Sequence, residues 1–373
     1  MNSKIKLVFF HPYSQVGGAD NSLRRLIEKL NLNDFSITFL SLNKSYLKNI
    51  LSKNITFKKL NAKRTIFSIS ELKKIVHKYE RNEKYNKVIV ISNQNFANLV
   101  VSFAIKNNNK VKTIFVDRFH LDELSFHENF VDELKNRIIK ILIKWRYSKA
   151  NVVVGISKKL SNDLSDHINK KVKTIYSPSF DKSIIKKSNE KLSLSKKFKY
   201  IINVSRFSKE KDHFTTLNAF KLTCTKIKNL KLILVGHGPE LSKIRLLAKE
   251  LKIYNRVIII NKTQNPYKYI RKSELLILTS IYEGFPNVLN EALTIGTAVI
   301  SSNANAGASE ILLNGKGGDL IKIKDHKTLS KKIINHFRIP IRLQKKTIFA
   351  QKNLYRFETK RHCKIYTELF KKI

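Results

Sequence analysis

Two glutamates, Glu283 and Glu291, lie eight residues apart around a predicted strand-to-helix junction. Pro286 suits the first turn of a helix and Gly296 suits its end, so residues 281–285 would form the turn before it. Ligands of open parallel sheets bind at such turns. Carboxylates there accept hydrogen bonds from hydroxyl groups, which sugars and riboses supply. The alternative interpretation is a helix-start charge at Glu283 and an exposed glutamate at Glu291.

The helix predicted to begin after Pro286 offers backbone N–H groups, and its dipole favours an anion such as a diphosphate. These N–H groups belong to Asn287, Val288 and Leu289. Gly284 has no side chain, so a ligand can come close to the loop backbone. The sequence therefore predicts a phosphate-binding turn beside the two glutamates.

Arg206 and Lys211 follow a strand-like run at residues 200–205 and lie five residues apart. A guanidinium fork and an ammonium in this arrangement can surround one phosphate cluster. Two neighbouring basic residues carry little weight by themselves in a chain with 73 of them. Their place directly after a strand strengthens the prediction of an anion site.

Two glycine loops also follow strand-like runs. Gly17 and Gly18 link the first strand to the first helix, and Gly236 lies in the segment VGHGPE at residues 235–240. Both loops permit tight turns and close approach of a ligand to the backbone, or they are ordinary glycine-containing loops. The first loop lacks the G-x-G-x-x-G pattern of dinucleotide-binding proteins.

Short apolar strands and amphipathic helices must position these loops. Strand-like runs occur at residues 6–10, 36–40, 87–91, 113–116, 200–205, 231–235, 257–260, 275–279 and 298–301. Helical spacing separates them, as at Leu23, Leu26, Ile27 and Leu30. Strict alternation of this kind indicates βαβ units and parallel sheets. We therefore expect an α/β fold of two doubly wound, Rossmann-like domains facing a central cleft.

The boundary between the two domains is predicted in residues 177–198, a Ser- and Lys-rich stretch without an apolar period that is typical of a linker or hinge. Residues 1–178 and 179–352 would then form the two domains. The last segment, about 353–373, has Phe357, Tyr366 and Phe370 in a helical context, and it would pack back on the first domain.

The composition excludes several classes of protein. The chain has 73 basic and 28 acidic residues, a formal charge of +45, but 42% of it is apolar, far too much for a disordered polycation. Cys224 and Cys363 lack the spacing of a zinc site or a disulfide framework. No run of about 18 apolar residues and no signal-peptide pattern occurs, so we expect a cytoplasmic protein without a membrane-spanning helix.

Taken together, EGFPNVLNEAL, SRFSKEKD, LVGHGPE and the N-terminal GGAD resemble the motifs of the retaining glycosyltransferases of family GT4, which have the GT-B fold. The motifs occur in the family's order and extend over nearly the whole chain. The resemblance implies that residues 1–178 form the acceptor side and that residues 179–352 bind a nucleotide-sugar donor.

The resemblance also implies a role for each site residue. Glu291 would bind the ribose hydroxyls of the donor, and Glu283 would contact the donor sugar. Arg206 and Lys211 would neutralise the diphosphate leaving group. Backbone amides after Phe285 and in the first glycine loop would assist them.

One family residue and three departures lie elsewhere in the chain. His120 matches a family histidine near the transferred sugar, or it is a helix-start histidine bonded to backbone. Asp20 stands where the family often has Glu, Ser177 replaces the usual Asn of an Asn-Pro, and Ala308 interrupts the usual Gly-Gly-x-x-Glu. These departures bear on the acceptor side and the base pocket.

The family needs no metal, and the sequence has no Asp-x-Asp between strands to hold Mg²⁺ on a diphosphate. We therefore expect no cofactor, with cationic side chains and a helix dipole in the metal's place. The family is described as retaining configuration by front-face displacement, in which the departing phosphate accepts the proton of the acceptor. Such a reaction needs no protein nucleophile.

A basic helix is predicted from Glu133 to Lys149. It combines apolar Leu134, Ile138, Ile141, Leu142 and Trp145 with basic Lys135, Arg137, Lys140, Lys144 and Arg146. Such a helix either buries its apolar stripe in the core or lies on an anionic lipid surface.

From charge and resemblance together, we expect transfer of a hexose or N-acetylhexosamine from a UDP-sugar, with a GDP-sugar as the second choice. The acceptor would be a polyprenyl-diphosphate-linked glycan of a surface polysaccharide such as O-antigen or capsule, at the inner face of the cell membrane. Two alternatives stay open. One is a basic protein that binds nucleic acid without transferase activity, although no zinc finger, helix-turn-helix or RNP pattern is evident. The other is a GT-B sugar-nucleotide epimerase.

Overall fold

The computed structural model describes residues 4–13, 17–43, 46–49, 54–125, 129–261, 263–304 and 307–373. The chain divides into two units, Met1–Pro178 with Thr359–Ile373, and Ser179–Glu358. Each unit has its own parallel β-sheet and its own buried apolar cluster. The prediction of two Rossmann-like α/β units is therefore confirmed.

Unit 1 contains a seven-stranded sheet in the order β3-β2-β1-β4-β5-β6-β7. Its elements along the chain are β1 (Lys4–Phe10), α1 (Gly18–Glu28), β2 (Phe35–Ser41), β3 (Thr56–Lys59), α2 (Ile69–Glu80), β4 (Tyr85–Asn93), α3 (Asn95–Ala104), β5 (Val111–Asp117), α4 (Phe130–Arg146), β6 (Val152–Gly155), α5 (Lys158–Ile168) and β7 (Lys173–Thr174). Short 3-10 helices lie at Tyr46–Asn49, Thr65–Ser68, Leu121–Ser125 and Tyr147–Lys149.

Helices on both faces bury the central strands of this sheet, which is why β1 and β4 read as continuous apolar runs. In β1 the residues from Lys6 to Phe10 are all buried. Phe10 lies opposite Leu40 of β2 on one side and Ser92 of β4 on the other. The strand order therefore reverses at β1, and the loops after β1, β4 and β5 leave the same edge of the sheet.

Unit 2 contains a six-stranded parallel sheet in the order β10-β9-β8-β11-β12-β13. Its elements are α6 (Ser183–Ser188), β8 (Lys199–Val204), α7 (His213–Cys224), β9 (Leu230–Val235), α8 (Leu241–Glu250), β10 (Val257–Ile260), α9 (Tyr267–Arg271), β11 (Leu275–Leu278), α10 (Asn287–Ile295), β12 (Ala298–Ser302), α11 (Gly307–Ile311), β13 (Asp319–Ile321), α12 (His326–Arg338) and α13 (Pro340–Lys352). Further 3-10 helices lie at Lys209–Lys211, Tyr254–Arg256 and Leu354–Phe357.

The strand order of unit 2 reverses at β8, which pairs with β9 on one side and β11 on the other. Ile201 of β8 lies opposite Leu232 of β9 and Leu275 of β11. Ligands of doubly wound sheets bind at the carboxyl ends of strands where the order reverses. The loops after β8 and β11 carry Arg206, Lys211, Glu283 and Gly284.

The predicted linker contains a helix, and the predicted closing segment packs on unit 1 except for its first residues. Residues 183–188 of the predicted linker form α6, which packs on α9 and α10 because Ile184 is buried there. The last helix, α14 (Thr359–Lys372), belongs to unit 1, where the ring of Phe370 contacts that of Phe35 at 5.8 Å. Phe357, predicted for the same closing segment, lies in unit 2 instead. No helix in the described ranges is long and apolar enough to cross a membrane.

Candidate functional site

The loops after β8 and β11 are joined by hydrogen bonds along their length. The backbone N–H of Ile281 donates to the carbonyl oxygen of Glu210 at 2.8 Å. The hydroxyl of Thr279 lies 3.1 Å from the carbonyl oxygen of Lys211 and 2.9 Å from that of Asp212. Because both loops leave neighbouring strands at one edge, these bonds fix the segment 209–212 beside the turn 281–285.

Lys211 and Glu283 form the central ion pair of this site. The ammonium Nζ of Lys211 donates to Oε1 of Glu283 at 2.6 Å, and the hydroxyl of Ser280 donates to the same oxygen at 2.8 Å. Both charged side chains are mostly buried. Glu283 Oε2 has no hydrogen-bond partner among the described residues, so this oxygen is available to accept a bond from a ligand hydroxyl.

Arg206 is paired with Glu210, a residue that the sequence reasoning did not single out. The guanidinium of Arg206 donates to Glu210 Oε1 at 2.7 Å, and the hydroxyl of Ser208 donates to the same oxygen. Burial raises the pKa of Glu210, but these two hydrogen bonds, a backbone hydrogen bond and the charge of Arg206 together hold the pKa below its usual value. Glu210 is therefore ionised at neutral pH and balances the charge of Arg206.

The helix α10 begins at Asn287, with Pro286 in the N-cap position rather than in the first turn. No side chain in the described part of the chain caps this helix start. The N–H of Leu289 donates to the carbonyl oxygen of Pro286 at 3.0 Å, so its amide is already used. At the other end, Gly296 adopts a left-handed conformation with φ 94° and ends the helix, as predicted.

Glu291 is only 8% exposed, so the alternative interpretation of an exposed glutamate is wrong. It lies in the second turn of α10, and its Oε1 accepts a hydrogen bond from the hydroxyl of Tyr267 at 3.3 Å. Tyr267 begins α9, the helix before β11. A buried carboxylate within reach of a tyrosine hydroxyl can bind a vicinal diol such as that of a ribose.

Packing fixes the turn around Gly284 and Phe285. The ring of Phe285 contacts that of Phe357 edge-on at 5.2 Å between centroids. A side chain at Gly307, the first residue of α11, would come within 2.7 Å of the Gly284 carbonyl oxygen. Phe285 therefore anchors the turn with its ring, and only its backbone can serve a ligand.

Gly236 has a packing role that explains its residue type. A side chain there would collide with the carbonyl oxygen of Ser205, so glycine lets the loop after β9 approach the loop after β8. The backbones of the two loops bond to each other, since the N–H of Phe207 donates to His237 and that of Glu240 to Phe207, each at 2.9 Å. Gly236 thus supports the loop that carries Arg206.

In unit 1, Gly17 and Gly18 form the exposed start of α1, and residues 14–16 of the predicted loop lie outside the described residues. Gly17 is the N-cap with φ −162°, an extended conformation that any residue adopts, so the predicted tight turn is not found at this position. Asp20 is buried in the first turn, where its Oδ1 lies 3.1 Å from Nε2 of His11.

His120 also belongs to unit 1 and is buried directly after β5. Its backbone N–H donates to Glu123 Oε1 at 3.1 Å at the start of a 3-10 helix. Neither ring nitrogen has a hydrogen-bond partner among the described residues, so the ring is not bonded to backbone as the helix-start interpretation predicts. Its ring Nδ1 lies 3.4 Å from Asp163 Oδ2. Burial lowers the pKa of His120 despite the opposing effect of Asp163, so the imidazole is neutral at pH 7.

The unit 2 residues bring charged side chains of both signs together. Two cations, Arg206 and Lys211, stand against two carboxylates, Glu210 and Glu283, so the four groups carry no net charge. A diphosphate would share the cations with these carboxylates, and the carboxylates would in turn accept bonds from sugar hydroxyls. Among the described residues no cluster of three metal-binding side chains occurs.

Comparison with known proteins gives a family match and several relatives. Residues 184–353 match the family described as glycosyl transferases group 1, which confirms the resemblance drawn from the motifs. An N-acetylgalactosaminyltransferase of Campylobacter jejuni that acts on N-acetylgalactosamine-N,N'-diacetylbacillosaminyl-diphospho-undecaprenol is 27% identical over 84% of this chain and 85% of its own length. The amylovoran biosynthesis glycosyltransferase AmsD of Erwinia amylovora is 21% identical over 82% of this chain and 83% of its own.

Solved structures share the fold. HepE of Anabaena, in complex with UDP and glucose, superposes with a TM-score of 0.79 over 99% of this chain and all of its own, at 18% identity. Sucrose-phosphate synthase of Thermosynechococcus elongatus superposes with a TM-score of 0.83 over 99% of this chain and 98% of its own, at 15% identity. The architecture of the two units is therefore that of GT-B proteins.

Proposed function

We propose that the protein transfers a hexose or N-acetylhexosamine from a nucleotide-diphospho-sugar to a glycan acceptor with retention of configuration. The match of residues 184–353 to the group 1 glycosyl transferases supports this activity. UDP is the preferred nucleotide, and GDP is the second choice. The observation that carries the proposal is the Lys211–Glu283 pair, 2.6 Å apart at the carboxyl edge of the unit 2 sheet.

In the proposed donor complex, Lys211 and Arg206 stabilise the negative charge that develops on the departing diphosphate. The amides at the start of α10, around Asn287 and Val288, add the positive end of the helix dipole. This arrangement would replace a metal ion, so the proposed reaction is independent of added divalent cations.

The carboxylates have separate tasks in the same complex. Glu283 accepts a hydrogen bond from a hydroxyl of the donor sugar, and Glu291 binds the ribose. The acceptor hydroxyl attacks the anomeric carbon from the side of the leaving group, the bond from that carbon to the phosphate oxygen breaks, and the phosphate oxygen takes the hydroxyl proton. His120 is proposed to contact the transferred sugar from unit 1, since it follows a strand end with a neutral ring.

The acceptor is proposed to be a polyprenyl-diphosphate-linked glycan of a bacterial surface polysaccharide. Two relatives favour this class by their names, the undecaprenol-linked N-acetylgalactosaminyltransferase and the amylovoran enzyme. A lipid-linked acceptor and a formal charge of +45 also favour a cytoplasmic enzyme held at the anionic inner face of the membrane.

A panel of UDP- and GDP-sugars tests the donor, with thermal unfolding as the binding readout and nucleotide release as the activity readout. We expect one UDP-sugar to raise the unfolding temperature and to be consumed when a polyprenyl-diphosphate glycan is supplied. Glu291→Ala and Lys211→Ala should strongly weaken both effects and leave the unliganded protein folded. Release that requires added Mg²⁺, an inverted product, or conversion of the donor into an epimer would refute the proposal.

A further inference from the structure

Helix α4 carries two apolar stripes, and only one of them is buried. Ile139 and Ile143 pack into the core of unit 1. The second stripe consists of Val131, Leu134, Ile138, Ile141 and Trp145, at alternating spacings of three and four residues. Its residues are between 49% and 72% exposed. The interpretation that places the apolar residues of this helix in the core is therefore wrong for Leu134, Ile138, Ile141 and Trp145, whereas Leu142 is partly buried against the core. The exposed stripe faces solvent for about 21 Å.

Helix α3 extends this apolar surface. Phe96 and Phe103, seven residues apart on α3, are each 46% exposed. Lys135 of α4 lies 5.9 Å from the ring centre of Phe96, and the guanidinium of Arg146 lies 4.2 Å from that of Phe103. Arg146 also donates hydrogen bonds to Ser102 of α3. We call the stripe of α4 together with Phe96 and Phe103 the α3–α4 face.

Basic residues border the α3–α4 face. Between residues 130 and 149 there are six basic and two acidic side chains, a formal charge of +4. One of the two carboxylates, that of Glu133, is bonded to Arg137 at 2.7 Å. The indole of Trp145 has Arg146 at 5.2 Å and Lys149 at 4.8 Å from its ring. An apolar stripe with an aromatic ring and a cationic border is typical of a helix that lies in a lipid interface.

The same charges argue against a second copy of the chain as the partner. The spacing of the stripe would suit a coiled coil. A symmetric pair, however, would bring two surfaces of charge +4 together, and like charges facing each other disfavour association. A nucleic acid would be attracted by the cations but would leave the five apolar side chains in water. An anionic bilayer can bind both, since its headgroups attract the cations and its interior buries the apolar stripe.

We propose that the α3–α4 face docks on an anionic bilayer, with the stripe of α4 inserted between the headgroups and the basic border on their phosphates. The docking itself needs no sugar chemistry. Its purpose, to hold unit 1 beside a lipid-linked acceptor, rests on the proposed function.

Trp145 gives a direct probe, because it is the single tryptophan of the chain. Its emission should shift to shorter wavelength, and acrylamide should quench it less, when vesicles of equimolar phosphatidylcholine and phosphatidylglycerol are added. Vesicles of phosphatidylcholine alone should leave both signals unchanged. Binding to the anionic vesicles while Trp145 stays in water would overturn the proposal, since another surface would then be docking.

Matched variants distinguish vesicle binding through the α3–α4 face from binding through the overall positive charge of the protein. Leu134→Ser with Ile141→Ser, and separately Lys135→Gln with Lys144→Gln, should each weaken co-sedimentation with anionic vesicles at least tenfold. The controls are Ile341→Ser with Ile348→Ser, and Lys345→Gln with Lys352→Gln, at exposed positions of α13 in unit 2. The controls should bind like the wild type. An equal loss in both sets would overturn the proposal, and circular dichroism of each variant excludes misfolding as the cause.

Two further results distinguish the remaining explanations. A wild-type dimer that Leu134→Ser with Ile141→Ser turns into a monomer would replace the bilayer by a second copy and overturn the proposal. A protein that docks through Trp145 but transfers no sugar would support the docking and refute the proposed function. A protein that transfers sugar to a lipid-linked acceptor while Trp145 stays in water would support the proposed function and refute the docking.

Discussion

Lys211 is held in place before any ligand binds. Its ammonium is mostly buried and bonded to Glu283, and its carbonyl oxygen is held by Thr279. The side chain therefore does not have to be ordered when a diphosphate arrives, and that lowers the entropic cost of binding. Preorganised cations of this kind stabilise charge that develops in a transition state.

Lys211→Ala should lower turnover by about 10²-fold or more, because it removes a positive charge from the leaving-group site. The protein should stay folded, although it should unfold at a lower urea concentration because Glu283 loses the partner of its mostly buried charge. The matched control is Lys243→Ala, which removes a lysine paired with Glu240 at 3.0 Å on the same unit. Turnover of Lys211→Ala equal to that of the control would remove Lys211 from the mechanism.

Glu210 competes with a diphosphate for Arg206, so removing its charge should strengthen binding. An exposed ion pair is worth roughly 0.2–1 kcal/mol, and Glu210→Gln should therefore bind UDP up to about fivefold more tightly. Glu240→Gln removes the same charge from another pair and should leave the affinity unchanged. Weaker UDP binding by Glu210→Gln, measured by calorimetry, would show that Glu210 supports the site rather than competes in it.

The pH dependence of stability tests Asp117, which is buried at the end of β5. Its Oδ2 accepts a bond from Tyr147 at 3.0 Å, and burial raises its pKa from 3.8 to about 6. The native state therefore keeps a proton that the unfolded chain has lost between these values. The stabilisation from this group is complete below about pH 4 and is lost as the pH rises through about 6.

Asp117→Asn should remove that dependence. The free energy of unfolding of the wild type minus that of the variant should fall as the pH rises from about 4 to about 6 and be level above it. Urea titrations at several pH values measure the difference. A difference that does not change with pH would mean that the carboxyl titrates normally.

At the scale of elements, the segment 209–212 depends on an unusual backbone. Asp212 has φ 47° and ψ 57°, a left-handed conformation, and its side chain caps α7 by accepting from Thr215 at 3.1 Å. Asp and Asn tolerate this conformation better than other residues with a side chain. The cap and the backbone of Asp212 together hold Lys211 at the end of its short 3-10 helix.

Asp212→Ala should lower the free energy of unfolding by about 1–2 kcal/mol, since it loses the cap and strains the backbone. Asp212→Asn keeps an acceptor oxygen and the tolerance for this conformation, so it should unfold like the wild type. Urea unfolding measures both. Equal destabilisation by the two substitutions would assign the effect to the charge instead.

The strands and helices show which elements could be predicted from the sequence alone. The nine predicted strands are present, because each is an apolar run long enough to be recognised against the more polar residues on either side. The two-residue strand β7 and the three-residue β13 are too short to give a pattern. Helix α4 was ambiguous for a different reason, since periodicity detects two stripes but cannot tell which one has a partner.

The site was predictable in part for similar reasons. Lys211, Glu283 and Glu291 follow from motifs that lie within short segments. The partners Thr279 and Tyr267 do not, because their contacts depend on how separate segments meet in the folded unit. Burial of Glu291 likewise comes from tertiary packing, which spacing along one helix does not reveal. Glu210 lies four residues after Arg206 in the same short segment, so its pairing could have been predicted from the sequence.

At the scale of the whole molecule, each unit has its own sheet and core and carries one part of the proposed task. Unit 2 supplies the charged groups for a donor, and unit 1 supplies His120 and the α3–α4 face. The cations of these two regions are arranged differently. Those of the proposed donor site are paired with carboxylates, and those beside the exposed stripe of α4 outnumber the acidic residues.

Calorimetric titration of UDP into the wild type, Lys211→Ala and Glu291→Ala tests the donor site most directly. We predict one UDP bound per chain in the wild type and at least tenfold weaker binding in each variant, with all three proteins equally folded. Failure of the wild type to bind UDP, GDP or their sugar conjugates, or equal affinity in all three proteins, would contradict a nucleotide-sugar site in unit 2.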